Sequence, residues 1–457
     1  MKKSFLAKAV LATLISGTFA APVYAGEAEL LQKIEKLAAE LEAIKAELVA
    51  TRKKTEVVEQ KQDVMISNAA KAQAALPAAP IAPIAPIAPL ASAQTNDGNN
   101  EGLHKSVQQT VVSSYGEINY TRPREASNQA QTDVARAVIG ITHRFSEKTK
   151  MVAEFEWEHA VTSKDDNGES EVEQLYVEHE IKPGLSAKAG LFLIPVGFIN
   201  TSHEPTAYYG VQRNFVETAI IPSTWREAGF GLSGSHDNGL SWDIGLTTGF
   251  DLTKWDANSG DGRESPLRAV HQEGQQAKSR DLSLHAAANW RGVPGLLMGG
   301  SIFSGKVGHA TTDFAANDAR VTLWDLHARY NPGKLDLTAL YARGTISNTD
   351  ALNLSFAGQP NPVPSAFAGW YLQGAYQLWK NEDYSLTPFL RYEQFNTAKS
   401  YATMPLGLGV ATGPDEKVTT IGVSFKIGEG VVLKTDYQKF KQDSSRDRYN
   451  LGAGYSF

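Results

Sequence analysis

From about residue 106 to the C-terminus, apolar and polar residues alternate in short runs, and the gaps between runs are alternately short and long. Ile421, Val423, Phe425 and Ile427 alternate with Thr420, Gly422, Ser424 and Lys426. Leu282, Leu284, Ala286, Ala288 and Trp290 alternate with Ser283, His285, Ala287 and Asn289. Successive side chains of a strand point to opposite faces, so each run reads as a strand with one apolar and one polar face. Short gaps fall at 146–148, 182–184, 235–239, 291–293, 331–333, 380–383 and 428–430. Long ones fall at 122–134, 161–171, 200–225, 251–279, 305–318, 345–366, 396–417 and 441–447. Seven turns and eight loops make fifteen connections, which predicts sixteen strands.

An even number of up-and-down strands, with short turns at one end and long loops at the other, is the layout of an outer-membrane barrel. That arrangement puts both barrel termini at the short-turn, periplasmic end. Aromatic residues repeat at the same end: Phe145, Trp290, Tyr330 and Trp379 stand just before short turns, and Phe457 ends the last strand. Aromatics gather where a bilayer meets water, whereas a soluble β-sandwich has no reason to place them at one end of alternate strands. The closing RYNLGAGYSF fits as well, because a last strand that must pair with the first leaves no free tail. Sixteen strands enclose an aqueous channel rather than a filled core, and inward faces carrying Glu, Arg, Lys, Asn, Ser and Thr suit water.

Three unlike segments precede the barrel. Residues 1–25 read as a secretory signal: Lys2 and Lys3, an apolar stretch from Ala9 to Phe19, and the small-residue site Val23-Tyr24-Ala25. In 26–62, Leu30, Ile34, Leu37, Leu41, Ile44 and Leu48 form a heptad seam that permits a trimer; a single amphipathic helix is the alternative. Residues 63–105 are an Ala/Pro-rich linker in which Pro77, Pro80, Pro83, Pro86 and Pro89 recur every third residue. This suits a polyproline spacer, with a ligand for a proline-recognition domain as the alternative. The barrel domain is 106–457. The chain has no cysteine, which excludes disulfides and thiol chemistry, and its net charge of −6 excludes nucleic acid as a partner.

GLFLIPVGFINTSHEP (190–205), TWREAGFGLSG (224–234), LTPFLRYEQF (386–395), ARAVIGITHRFSEKTKMVAEFEWE (135–158) and the final YSF resemble segments of the phosphate-selective porin O and P family. The resemblance implies a sixteen-stranded, homotrimeric barrel in the Gram-negative outer membrane. It also implies a loop after the fifth strand, near 200–225, that folds into the lumen and narrows it. An anion channel with a ladder of arginines and a cluster of lysines is implied too, as is a terminal aromatic read by the assembly machinery.

On this reading the constriction candidates are His203, Glu204, Tyr208, Tyr209, Arg213, Glu217 and Arg226. Charged and aromatic side chains on such a loop set pore size and field; the alternative role of Glu204 and Arg213 is to pin the loop to the wall. Glu154, Glu156, Glu158, Glu178 and Glu180 are expected on the lumen face, opposed by Arg136, Arg144, Lys188, Arg391, Lys426 and Lys434. Residues 101–457 hold 33 of the chain's 44 basic and 40 of its 50 acidic residues, a net of −7 that opposes anion preference. GSIFSGKV (300–307) lacks the Ser or Thr that a phosphate loop needs after Lys306, and no helix follows it. The ten histidines include no metal-binding pair at helix or strand spacing, and no residue is marked as a nucleophile. The sequence therefore points to no enzyme, metal or cofactor. It points to a channel for passive diffusion of small hydrophilic solutes or ions, anions such as phosphate among them, with outer-membrane lipid as its surroundings. The alternative is an outer-membrane anchor that contacts peptidoglycan through the periplasmic N-terminal extension.

Overall fold

The computed structural model describes residues 109–163, 166–404 and 411–457; the signal, coil and linker expected from the sequence lie outside them. Seventeen strand segments, β1 (Gln109–Pro123) to β17 (Arg448–Ser456), form one antiparallel sheet that closes on itself. Two of them, β12 (Pro364–Tyr376) and the two-residue β13 (Trp379–Lys380), both pair with β14 (Tyr384–Tyr401), so they are one interrupted crossing. The barrel thus has sixteen crossings. β1 pairs with β2 (Gln131–Arg144) on one side and with β17 on the other, from Tyr115↔Ser456 to Pro123↔Arg448. The ladder runs to the last residue: Ser114 N donates to Phe457 O (3.1 Å), and Phe457 N to Ser114 O (2.9 Å).

Alternation decides what each strand shows to either side. On β10 (Arg320–Tyr330), Val321, Leu323, Asp325 and His327 are buried and point inward, while Leu326 is 61% exposed on the outer wall. Leu175, Val177, Phe230, Ile244, Leu284, Ile302, Leu372, Leu390, Ile421 and Leu451 give the other strands the same exposed apolar belt. No described helix is long and apolar enough to cross a membrane; the apolar belt belongs to strands. Phe145, Tyr330, Trp379 and Phe457 are exposed on the short-turn rim. Trp290, in the same rim, is half-buried and donates to Asn238 O (3.1 Å).

Two sequence expectations change. The turn after β8 (Ser283–Val293) is not at 291–293: pairing continues to Val293↔Leu296, and Pro294-Gly295 makes the turn. Nor is the lumen polar all round. Toward the long-loop end, the inward faces of β9 (Leu296–Lys306), β10, β11 (Leu335–Ser347) and β12 carry Phe303, Val321, Leu323, Leu340, Ala342, Ile346 and Phe367. The period-two pattern does not reveal this, because these residues alternate just as a lipid-facing row does.

Candidate functional site

The site is the connection between β5 (Leu185–Leu193) and β6 (Arg226–Ser235), residues 194–225, which folds into the lumen. Its base is closed by one further backbone bond beyond the β5–β6 ladder and by the side chain of Asn200. Ile194 N donates to Trp225 O (3.0 Å), and the Asn200 amide reaches Ile194 O (2.7 Å) and Trp225 O (2.8 Å) while accepting from Trp225 N (2.7 Å). Glu217, 3% exposed, is the internal hub. It accepts from Phe198 N (2.6 Å), Ile199 N (2.8 Å), Asn214 Nδ2 (2.8 Å) and, from the wall, Tyr371 O–H (2.9 Å). Gly197, at φ +66°, lets the backbone approach this carboxylate, and a Cβ there would collide with it. A buried carboxylate with four donors fixes the loop's shape, because any one donor lost leaves an uncompensated polar group.

Contacts reach most of the circumference. Tyr208 O–H donates to Glu117 on β1 (2.9 Å), and Arg136 on β2 donates to the same carboxylate (2.9 Å) and to the carbonyl of His203. His203 Nε2 lies 2.7 Å from Glu173 on β4 (Ser170–Lys182) and 2.6 Å from the Tyr115 hydroxyl. Gly197 N donates to Asp325 (3.2 Å), and Tyr209 O–H to Asp336 (2.8 Å), which Arg329 also grips. Phe215 N donates to Glu393 (2.6 Å), itself paired with Arg391 (3.0 Å), and Val211 N donates to Asp436 (2.7 Å). Lys426 Nζ donates to Thr206 O (2.9 Å), Arg448 donates to Gln212 (2.7 Å), and Lys434 Nζ stands 3.6 Å from the centre of the Tyr208 ring.

The sequence-expected residues fall into three groups. His203, Tyr208, Tyr209, Arg213 and Glu217 are on the inward loop, as is the half-buried Glu204. Arg213 donates to Thr224 (2.8 Å), within the loop. Arg226 opens β6 instead and bonds Glu171 (2.5 Å) and Glu273 (3.4 Å). Among the wall charges, Arg136, Lys188, Arg391, Lys426 and Lys434 face inward; Lys188 pairs with Asp243 (2.7 Å). Arg144 keeps the inward register but is exposed at the end of β2. Glu154, Glu156 and Glu158 line β3 (Thr149–Glu158); Glu178 and Glu180 line β4, where Glu178 pairs with Lys150 (3.0 Å).

Sequence reasoning missed Glu117, Glu171, Glu173, Asp325, Asp336, Glu393 and Asp436. For Glu173 the reason is specific. Strict alternation from Glu178 would aim Glu173 at lipid, but the register slips between Glu154 and Phe155, and the bulge turns Glu173 inward. A carboxylate on the lipid face is costly, so the out-of-phase Glu173 was itself a signal for the bulge.

The next long loop, 248–282, roofs the β9–β12 side. Trp225 packs against Phe250 (centroids 4.9 Å) and Phe303 (4.5 Å) within a buried cluster that includes Leu252, Trp255 and Leu267. Its charged tip reaches the wall through Glu273, which His271 (2.8 Å) and Arg226 flank. Burial pushes the Glu273 carboxyl up, but these two neighbours outweigh it and hold the group below its usual range. Three cavities border the inward loop. One of about 1010 Å³ on the long-loop side is lined by Phe215, Arg263, Arg268, Glu273 and Arg446. One of about 420 Å³ along β1 and β2 shares Phe215 and Thr218 with it and adds Glu117, Arg213 and Arg448. A third, of about 400 Å³, lies at the short-turn end between β4 and β8.

The lumen is charged with two signs. Arg213, Lys426, Lys434 and Arg448, on the loop, β15 (Glu416–Ile427), β16 (Val431–Phe440) and β17 respectively, are each held by a neutral group. Farther along the same wall, past β1 and β2, β3 and β4 carry Glu154, Glu156, Glu158, Glu171 and Glu173. In the grouping of Ser301, Asp325 and His327 no nucleophile is set up, because Ser301 donates to Asp325 while His327 turns Nε2 to Asn289 (2.8 Å). The 300–307 segment lies largely within strand β9.

No protein-family model matches the chain. A relative from Aquifex aeolicus, described as an uncharacterized protein, is 27% identical over 357 residues, 76% of this chain and 79% of that one. Salmonella typhi OmpF, solved with daunomycin, is similar in structure at TM-score 0.54 and 14% identity, across 78% of this chain and 99% of OmpF. The anion-selective porin of Comamonas acidovorans aligns at TM-score 0.46 and 12% identity, across 77% and 100% of the two chains. The fold shared with OmpF is the closed porin-type barrel.

Proposed function

We propose that the chain is an outer-membrane porin through which small hydrophilic solutes and ions diffuse passively, with 194–225 as the eyelet. The observation that carries this reading is a rigid, wall-tied loop that narrows a sixteen-stranded lumen while charged, water-compatible cavities remain around it. A packed core would have no use for the separate clusters of Arg213, Lys434 and Arg448 and of Glu154, Glu156 and Glu158. In a pore they set a local field of two signs along the wall beside the loop, past which ions and dipolar solutes move. Membership of the phosphate-selective porin O and P family, a homotrimeric assembly and a periplasmic N-terminal extension belong to the same proposal.

Passage of small anions such as phosphate is its finest part. The basic row supports it, and the acidic β3–β4 wall sets a low ceiling on anion preference. Single-channel recording of the reconstituted full chain in a salt gradient tests both levels. Stable ohmic steps are expected, with a reversal potential near zero that phosphate addition shifts little. A bilayer that never conducts refutes the porin reading; strong cation selectivity refutes the anion component alone.

A further inference from the structure

The bulge that brings Glu173 inward places it against His203, with Glu154 beside both; one ligating atom from each lies within 4.8 Å of the others. Glu173 is fully buried and His203 is 3% exposed, so this is the lining of an interior point rather than a solvated cluster. His203 Nδ1 faces Asn200 O (3.1 Å). With its N–H donated there, the ring presents a bare Nε2 to the two carboxylates. A backbone carbonyl orienting the second ring nitrogen is the usual support of a metal-bound imidazole. Nε2 and Glu173 Oε1 are 2.7 Å apart, yet Oε1 receives no hydrogen bond, and the single Tyr115 hydroxyl proton serves either Nε2 (2.6 Å) or Glu173 Oε2 (2.9 Å). Glu156, next on the inward face of β3 and 2% exposed, also has an Oε1 without a donor. The nearby cation, Arg136, donates through Nε and Nη2 to Glu117, Tyr208 and the His203 carbonyl, and its buried Nη1 reaches none of these carboxylate oxygens.

Two carboxylates and an imidazole therefore converge on a buried point where Glu173 Oε1 has no hydrogen bond, with Glu156 next along the same face of β3. Ligand atoms around one ion at about 2.1 Å stand roughly 3 Å apart, so His203 and Glu173 are already near that spacing. Glu154 is partly exposed and accepts from Gln174 Nε2 through Oε2, which leaves Oε1 for the ion. We propose that Glu154, Glu173 and His203 bind one divalent transition-metal ion, with the Tyr115 hydroxyl beside it, and that the ion fastens the inward loop to β3 and β4. An imidazole with two carboxylates suits ions such as Zn²⁺ better than the all-oxygen preference of Mg²⁺ or Ca²⁺. Entry is from the lumen, past Glu154.

The test is calorimetric titration of the chelator-stripped full chain in detergent with Zn²⁺ alone. About one Zn²⁺ per chain is expected. Glu173→Gln and Glu154→Gln should each weaken binding roughly tenfold or more, while Glu178→Gln, whose carboxylate pairs with Lys150, should leave it unchanged. Barrel integrity is checked by heat-modifiable gel mobility, and the half-exposed Glu154 supplies a variant that folds if Glu173→Gln does not. A second readout is amide exchange: Zn²⁺ should slow it over residues 198–207 in the wild type and not in Glu154→Gln. Absence of stoichiometric binding, equal affinity in all three variants, or Zn²⁺-independent exchange overturns the proposal. Each readout is independent of conductance.

Discussion

Against β9–β12 the inward loops bury Trp225, Phe250, Leu252, Trp255 and Leu267 on Phe303, Leu323, Ile346 and Phe367. Against β1–β4 and β14–β17 the first of those loops meets Glu117, Arg136, Glu173, Glu393, Lys434 and Asp436. One backbone segment thus rests on a dry, apolar seat on one side and on a charged, hydrogen-bonded rim on the other. The seat resembles the interior of a soluble protein, where affinity for position comes from excluded water and close packing. The rim gains little net free energy from each bond, since water offers the same partners, but it dictates where each atom sits. The seat supplies most of the burial that holds the loop in the lumen, and the rim supplies its placement and most of its charge.

Breaking the seat should cost most. Trp225→Ala removes a fully buried indole stacked on Phe250 and edge-on to Phe303, and about 3–5 kcal/mol of stability should be lost. Chemical unfolding in detergent reads this, and single-channel noise should rise as the loop loosens. If Trp225→Ala unfolds with unchanged midpoint, the seat is not what holds the loop. Glu217→Ala removes the hub that joins both halves through Tyr371; a loss of about 3 kcal/mol is expected in the same assay, because four donors are orphaned.

The rim sharpens the contrast at lower cost. Tyr208→Phe deletes one hydroxyl from the Glu117–Arg136 group and should cost about 1 kcal/mol. Its larger signature should be electrical: Glu117 loses a donor at the edge of the eyelet cavity, and the reversal potential should move toward cation preference. An unchanged reversal potential would remove Tyr208 from the field-setting residues. The smallest effect belongs to acid. Glu273 is held below its ordinary range, so its tie to Arg226 and His271 is fully present above about pH 4.5 and is lost as pH falls through the lowered folded value. Amide exchange over 268–276, corrected for intrinsic rate, should accelerate below that point, while exchange around Trp225 stays constant.

Much of this fold was legible because sixteen short amphipathic runs separated by alternating gap lengths admit few arrangements. The aromatic rim was legible for a related reason: Phe145, Tyr330 and Trp379 mark one end of alternate strands whatever the register. What resisted reading was anything that depends on phase or on a loop's destination. Glu173 faces inward only because the bulge shifts its register, and Val321, Leu323 and Ile346 alternate just as a lipid-facing row would. The constriction residues came from the resemblance, and their partners, such as Glu117 and Asp436, are far away in sequence. No local pattern could pair Val211 with Asp436 across 225 residues.

The pairing of β1 with β17 joins Ser114 to Tyr455 across 341 positions. Drawing such distant segments together costs on the order of 5 kcal/mol in chain entropy before any contact repays it. The cylinder therefore cannot close until β17 has been delivered, and topologies of this kind mature slowly. Until then every strand has an unpaired edge and an apolar row open to other chains. Safe delivery of an almost complete chain, rather than the strength of the finished barrel, is the step on which its biogenesis turns.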